Sequence, residues 1–470
     1  MTPRRIWLLA FLAPALLGLT RLESGPRVAA QSASAHRPAE AITLTGADLE
    51  PFVGASEAEL WAWSWRDGSW RLLAAQLDER DAQGAYVAEE DGLLDANDEL
   101  VLMLDDAGAP PPGGQRPPAM PFDAPRARIA IGDPLDPDYA AEIQLLRSIV
   151  GPEIAIQPRI RWDAAARELV SAEYRLGPAD AATDGFMGVR SLSLGEDGTD
   201  LVDRLKIRGK LEAFGSVTEV NEESLGVLLA AAGLSLSGEP LKVGPLRALL
   251  GAGGGYAYDR RFSLFGGADA LADVGVGPIA FSFTDARISL DFSPAVAGAS
   301  YHDANLPAGV TVDASPDAVP ESPPPAWREL RLPGARISLL ARAVAPDSSA
   351  RAYYRDAVDG GPGDTGDGMA YADLGVTAPD FESLAATGFP GELLILPAGA
   401  DPAPEQLLDW RAAPVELGLS FDGVPPTATP GPGPSATLAP PATATPGSET
   451  TPTTPAGGSA RIYLPYAAHP

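Results

Sequence analysis

The stretch Glu89–Leu104, EEDGLLDANDELVLML, places six acidic side chains and Asn97 within eleven residues and then turns into an apolar run. Oxygen donors at alternate positions are what calcium binds, provided a glycine stands where the loop must turn sharply. An EF-hand loop begun at Asp91 would put Leu93 at a ligand position and Ala96 at the glycine position. Begun at Asp95 it gains Asn97 and Glu99 but meets Leu100 where glycine belongs. Neither register is an EF-hand. Two readings remain. In one, Asp95, Asn97 and Glu99 join Asp78 and Asp81 of the preceding LDERD segment around a calcium ion. In the other, the acids form a solvated turn that launches a buried strand, ELVLML. A second acidic loop, Arg355–Tyr371, sets Asp359, Asp364 and Asp367 among glycines and half-matches a calcium-binding nonapeptide. Such units work in tandem, and a single copy reads first as a surface loop.

Other chemistries are narrowed by what is missing. The chain has three histidines and no cysteine, and of the histidines only His302 lies in the body, so a conventional structural zinc site is excluded. No GxSxG elbow marks a nucleophile that could partner His302. The run GAGGGY, Gly251–Tyr256, lacks the last glycine of the dinucleotide pattern and runs into the strand-like AYDRRFSLF, so it offers no helix N-terminus to a phosphate. Glycoside hydrolysis by two carboxylates stays chemically open, but among 63 acidic residues no pair stands out.

Four of the eight tryptophans fall between Trp61 and Trp70. In LWAWSWRDGSWRLLAA, Asp67-Gly68 suits a two-residue hairpin turn that needs positive φ at both positions. Counting outward pairs Trp65 with Trp70, Trp63 with Leu72 and Trp61 with Ala74. The indoles then share one face, which could stack sugars or form the core. Because the other face carries Ala62, Ser64 and Arg71, the core is expected on the tryptophan face, with Trp61 at the open end as the ligand-binding candidate.

The elements that must position these residues read mostly as short strands. They are expected at Glu99–Leu104, Arg128–Ile131, Glu142–Leu146, Glu168–Tyr174, Ala257–Leu264, Ile279–Phe283, Arg287–Phe292, Arg336–Ala341 and Glu392–Leu396. Short helices are expected at Glu222–Ala232, closed by Gly233, and at Glu405–Ala412. With 50 glycines and 48 prolines in 470 residues, this is an all-β pattern, mainly an antiparallel β-sandwich or supersandwich with a few short helices.

Residues 1–30 read as a signal peptide: Arg4 and Arg5, the apolar Ile6–Leu19, and small residues before Gln31. Later segments are too short in apolar residues to span a bilayer, so no transmembrane span is expected after cleavage. A formal charge of −29 argues against nucleic acid as a partner. Residues 423–460 form a Pro/Thr-rich linker without core-forming residues, expected to be disordered and able to span on the order of 100 Å if extended at ~3.1 Å per residue. Between leader and linker lies a β-rich region, 38–422, which could divide near Ser237–Pro240 into halves 38–238 and 239–422.

The terminal decapeptide, 461–470, carries IYLP (Ile462–Pro465) and resembles the sorting or retention tails of secreted bacterial proteins. The run Trp70–Gly108, with QLDERD and DGLLDANDELV, resembles a family of uncharacterised secreted bacterial β-rich proteins. GDPLDP (Gly132–Pro137), DLVDRLKIRG (Asp200–Gly209) and DTGDG (Asp364–Gly368) extend the likeness along the body. It implies an exported module and supplies no catalytic residues. The resulting expectation is a secreted or cell-surface protein that binds an extracellular ligand, a carbohydrate or envelope component, or serves a structural role, with calcium as the one cofactor in view. The alternative is a polysaccharide-active enzyme using paired carboxylates.

Overall fold

The computed structural model describes residues 37–422, apart from 119, 122, 187, 196, 214–215, 232–238, 251–254, 264–281, 341–348, 362, 386, 388–390 and 399–401. The expected leader, linker, terminal tail, Gly233 and most of the 251–256 glycine run lie outside the described residues. Strands pair into five sheets, and the pairings among the described residues are antiparallel. No helix among them is long and apolar enough to cross a membrane.

Two sandwiches result. In the first, the three-stranded sheet of Ala41–Thr45, Glu99–Met103 and Gln76–Asp78 faces a five-stranded one. The latter runs in the order Glu416–Asp422, Arg126–Asp133, Asp136–Arg147, Leu60–Arg66, Ser69–Leu73. Ile42, Leu44, Leu100 and Leu102 meet Leu60, Ala62, Ile129, Ile131, Ile143 and Leu145 in a common core. The strand Glu99–Met103 is buried on both faces, because Val101 and Met103 turn the other way onto Leu246 and Tyr258. Double burial explains why LVLM, Leu100–Met103, is continuously apolar instead of alternating.

The second sandwich opposes a nine-stranded sheet to the five strands Ser216–Asn221, Val202–Ala213, Ser282–Phe292, Ala370–Ala378 and Arg351–Ala357. Leu205, Ile207, Ile288, Leu290, Leu374 and Val376 pack there with Tyr301, Leu330, Ile337, Leu339, Leu393 and Ile395. A four-stranded sheet, Ile160–Asp163 to Gly188–Leu194, joins this core through Tyr174, whose ring lies 5.0 Å from Phe262. The helix Pro404–Ala412 lays Leu407 and Trp410 on Trp327, Leu340, Leu394 and Leu396 of the nine-stranded sheet. The helix Glu222–Ala231 also forms where expected.

The halves 38–238 and 239–422 do not form. Val202–Ala213 pairs with Ser282–Phe292, and Glu416–Asp422 pairs with Arg126–Asp133, so both ladders cross the expected boundary. Residues 160–397 instead build a sandwich inserted between 41–147 and the returning strand Glu416–Asp422. A Gly/Pro turn marks a loop, whereas long-range strand pairing decides which loops separate modules. Arg37, fully buried, fastens the return: its Nε donates to Asp133 at 2.8 Å, and its Nη1 and Nη2 donate to the carbonyls of Trp410 and Ala413.

The tryptophan hairpin has the expected register for Trp65 with Trp70 and Trp63 with Leu72. Its second strand ends at Leu73, so Ala74 lies beyond the ladder, and Trp61 pairs with Leu146 of the neighbouring strand on its other side. The choice of core face is corrected. Leu60, Ala62 and Leu73 enter the large core, while Trp63 with half-buried Trp61 and Trp70 forms a smaller cluster around Ala124 and Leu146. Ala62 and Ser64 are small enough to let the opposing sheet approach, and both faces of this strand are covered, so polarity ranks them poorly. Asp67 and Gly68 make the turn with φ of 51° and 73°. Gly68→Ala is therefore expected to cost about 1 kcal/mol, seen as a lowered urea midpoint with an unchanged denaturant slope.

Candidate functional site

The first acidic stretch lies between the two sandwiches. Asp78 and Glu99 are cross-strand partners on Gln76–Asp78 and Glu99–Met103. Arg247, just ahead of the strand Ala248–Leu250, inserts between them: Nε donates to Asp78 Oδ2 at 2.7 Å and Nη2 to Glu99 Oε2 at 2.5 Å. Lys242 stands 3.4 Å from Asp78, Gln76 Nε2 donates to the same carboxylate at 2.9 Å, and Arg80 pairs with Glu99. Burial alone would lower the affinity of Arg247 for its proton, but Tyr258, Asp78, Tyr86 and Glu99 outweigh it and hold the guanidinium well above its ordinary range. Burial also pushes the Tyr86 hydroxyl up to about 12.

The other residues considered for calcium have different work. Asp81 accepts from the amides of Gln83 and Ala85 at 2.9 Å and so shapes its own turn. Asn97 Nδ2 donates to the carbonyls of Arg80 and Asp81. Asp95 is exposed, and its amide donates to Asp98 Oδ2 at 2.6 Å. The structure thus brings Asp78 and Glu99 together and links Asn97 to Asp81, while Asp95 faces outward. The carboxylates of Asp78 and Glu99 are occupied by guanidinium, ammonium, amide and phenol donors, and that of Asp81 accepts from peptide N–H groups. Arg247 was not found in the sequence because nothing local ties it to a strand 148 residues away.

Trp61 lines a recess of 170 Å³ with Leu60, Leu73, Leu100, Ile156 and Glu57. Its Nε1 donates to the Ser148 carbonyl at 2.9 Å. The ring lies close against Gly151, where a Cβ would come within 1.9 Å of Cζ2. Trp61 is therefore a fixed, half-buried wall of the recess, and Glu57 is the acid in that wall.

The second acidic loop supplies a different constellation. It lies over the outer, polar face of the five-stranded sheet in the inserted sandwich, where Lys206, Ser289, Asp291 and Asp373 are buried. Lys206 Nζ is 2.5 Å from Asp291 Oδ2 and donates to Asp364 Oδ1 of the loop at 2.7 Å. The Asp367 amide donates to Asp203 Oδ1 at 3.0 Å. Among the described residues, Asp203, Asp291 and Asp367 form a set of three carboxylates with one oxygen of each within 4.8 Å of the others. Asp359 stays outside it, paired with Arg355. Gly366 is required by the close approach: its φ is +84°, and a Cβ would fall 1.8 Å from Asp203 Oδ2. Burial, followed by repulsion from Asp373, raises the Asp291 carboxyl, while the Lys206 ammonium pulls it down. Burial and then Asp367 raise that of Asp203.

Of this set, the sequence singled out Asp364 and Asp367 and missed Asp203, Asp291 and Lys206. A signal was present: in VDRLKIRGKL, Arg204, Lys206, Arg208 and Lys210 alternate with Leu205, Ile207, Gly209 and Leu211, giving one strand a cationic face. That face needs a covering of carboxylates.

No family model and no curated protein matches the chain. Among solved structures, a protein of glycosyl hydrolase family 38 from Enterococcus faecalis is similar over 77% of this chain, at 9% identity and a TM-score of 0.33. The chain spans 42% of that protein's length.

Proposed function

We propose that this is an exported protein, secreted or held at the cell surface, whose β-sandwich region binds an extracellular ligand of carbohydrate or envelope type. The observation that carries the reading is the recess at Trp61, where a rigid indole and apolar side chains stand beside one acid. An aromatic wall with a polar edge suits the apolar face and hydroxyl rim of a sugar. Hydrolysis of a glycosidic bond calls for two carboxylates across the scissile linkage, and the recess wall contributes one, Glu57. Binding is therefore favoured over catalysis at this place. Export rests on the apolar leader with its small-residue cleavage site and on the Thr/Pro segment with the IYLP tail.

The test is titration of the mature protein with soluble envelope polysaccharides, monitored by tryptophan fluorescence and calorimetry. Trp61→Phe is expected to weaken binding about five- to tenfold, the size of one stacked aromatic contact. A wild-type protein that binds none of the polysaccharides, or a variant that binds them equally well, overturns the reading.

A further inference from the structure

We propose that Asp203, Asp291 and Asp367 hold a calcium ion that pins the loop segment 363–369 onto the strands Val202–Ala213 and Ser282–Phe292. One oxygen from each carboxylate lies within 4.8 Å of the others, a spread that a single cation with bonds of about 2.3–2.6 Å can bridge. Neighbouring acids are common on so acidic a chain, and by themselves they would mean little. The deciding observation is unpaired oxygen. Asp291 is fully buried, yet its Oδ1 accepts no hydrogen bond, and Asp203 Oδ2, with Arg204 Nε 3.6 Å away, accepts none either. Buried polar atoms in native folds nearly always find a partner, and an orphan calls for an explanation such as an ion.

Charge balance leads to the same place. Asp203, Asp291, Asp364, Asp367 and Asp373 gather around the Lys206 ammonium, with the Arg208 guanidinium 3.5 Å from Asp364 and Arg204 Nε 3.6 Å from Asp203 Oδ2. Lys206 engages one oxygen of Asp291 and one of Asp364, and Arg204 divides its charge among Asp203, Glu222 and Glu223, so the acids on the Asp203 and Asp367 side outnumber the cations. A divalent cation on that side neutralises the excess.

The donor set identifies the metal. It is all carboxylate, which disfavours zinc and copper, and three acids on two strands and a glycine loop suit the flexible geometry of calcium better than the strict octahedron of magnesium. Asp367 is exposed, which leaves the site open to entering ions. The site belongs to the inserted sandwich, whereas Trp61 belongs to the other, so this inference and the polysaccharide reading fail independently.

Full-length mature protein, stripped with chelator and dialysed, is titrated with calcium chloride by calorimetry and melted with and without the ion. One calcium per chain is expected, with Kd of about 10⁻⁴ to 10⁻³ M, the range of extracellular modules. Melting should rise by about 2 °C at a tenfold excess over Kd. Asp367→Asn, at an exposed position, should weaken binding by about tenfold or more, and Asp95→Asn should leave it unchanged. The inference is overturned if the wild type takes up no calcium at millimolar concentration or if Asp367→Asn binds as well as the wild type. It is also overturned if Asp95→Asn abolishes uptake, which would place the ion in the stretch between Asp78 and Glu99.

Discussion

Arg247→Met is expected to destabilise the protein by about 3 kcal/mol, the lower end of the loss caused by removing one partner of a buried ion pair. Asp78 is fully buried and Glu99 nearly so, and the guanidinium bonds to both. Methionine keeps most of the volume and removes the charge, so two desolvated carboxylates are left with poorer compensation. The loss stays near the lower end because Lys242 and Gln76 still face Asp78, and Arg80 still pairs with Glu99. Equilibrium urea denaturation of the mature protein measures it. Asp78→Asn in the Arg247→Met background should recover a substantial part of the loss, since contacting charges are not additive. A single-variant loss under about 1 kcal/mol would instead mark the cluster as solvated, as for an exposed ion pair.

Lys206→Met carries an effect of similar origin in the inserted sandwich. The ammonium is completely buried, with Asp291 fully buried and Asp364 nearly so as its partners, and Asp373 adds to the same field. Removing it is expected to cost about 3–5 kcal/mol in chelator at neutral pH. Asp291→Asn added to Lys206→Met should restore much of that, because a neutral amide no longer needs the cation. Losses that simply add in the double variant would show that the two side chains do not share an interaction. This cycle is read without calcium and is independent of whether the ion binds.

Parts of this structure were legible because their causes are local. The Asp67-Gly68 turn sets positive φ at consecutive residues, and the pairing of Trp65 with Trp70 comes from counting outward. The helix Pro404–Ala412 and the strands Glu392–Pro397 and Ala335–Leu340 likewise reflect short-range pattern. The face of the hairpin that meets the main core was not legible. Alternation shows that the two faces differ, but which one an opposing sheet covers depends on residues far along the chain. The same holds for the module boundary, which the ladder between Arg126–Asp133 and Glu416–Asp422 places in a way that no local turn reveals.

The acids show the division most clearly. Composition and local pattern suffice to establish that this chain is β-rich, strongly acidic, free of cysteine, and equipped with two acidic loops rich in calcium-like donors. What each loop faces is set by long-range folding alone. The first meets Arg247 and becomes a charge-paired junction between sandwiches, while the second folds over Lys206 and leaves Asp203 Oδ2 and Asp291 Oδ1 without a hydrogen bond. A carboxylate's role depends on its neighbours within a few ångströms, because Coulomb energy and desolvation act through space. Residue spacing along the chain records nothing of neighbours that arrive from more than a hundred positions away.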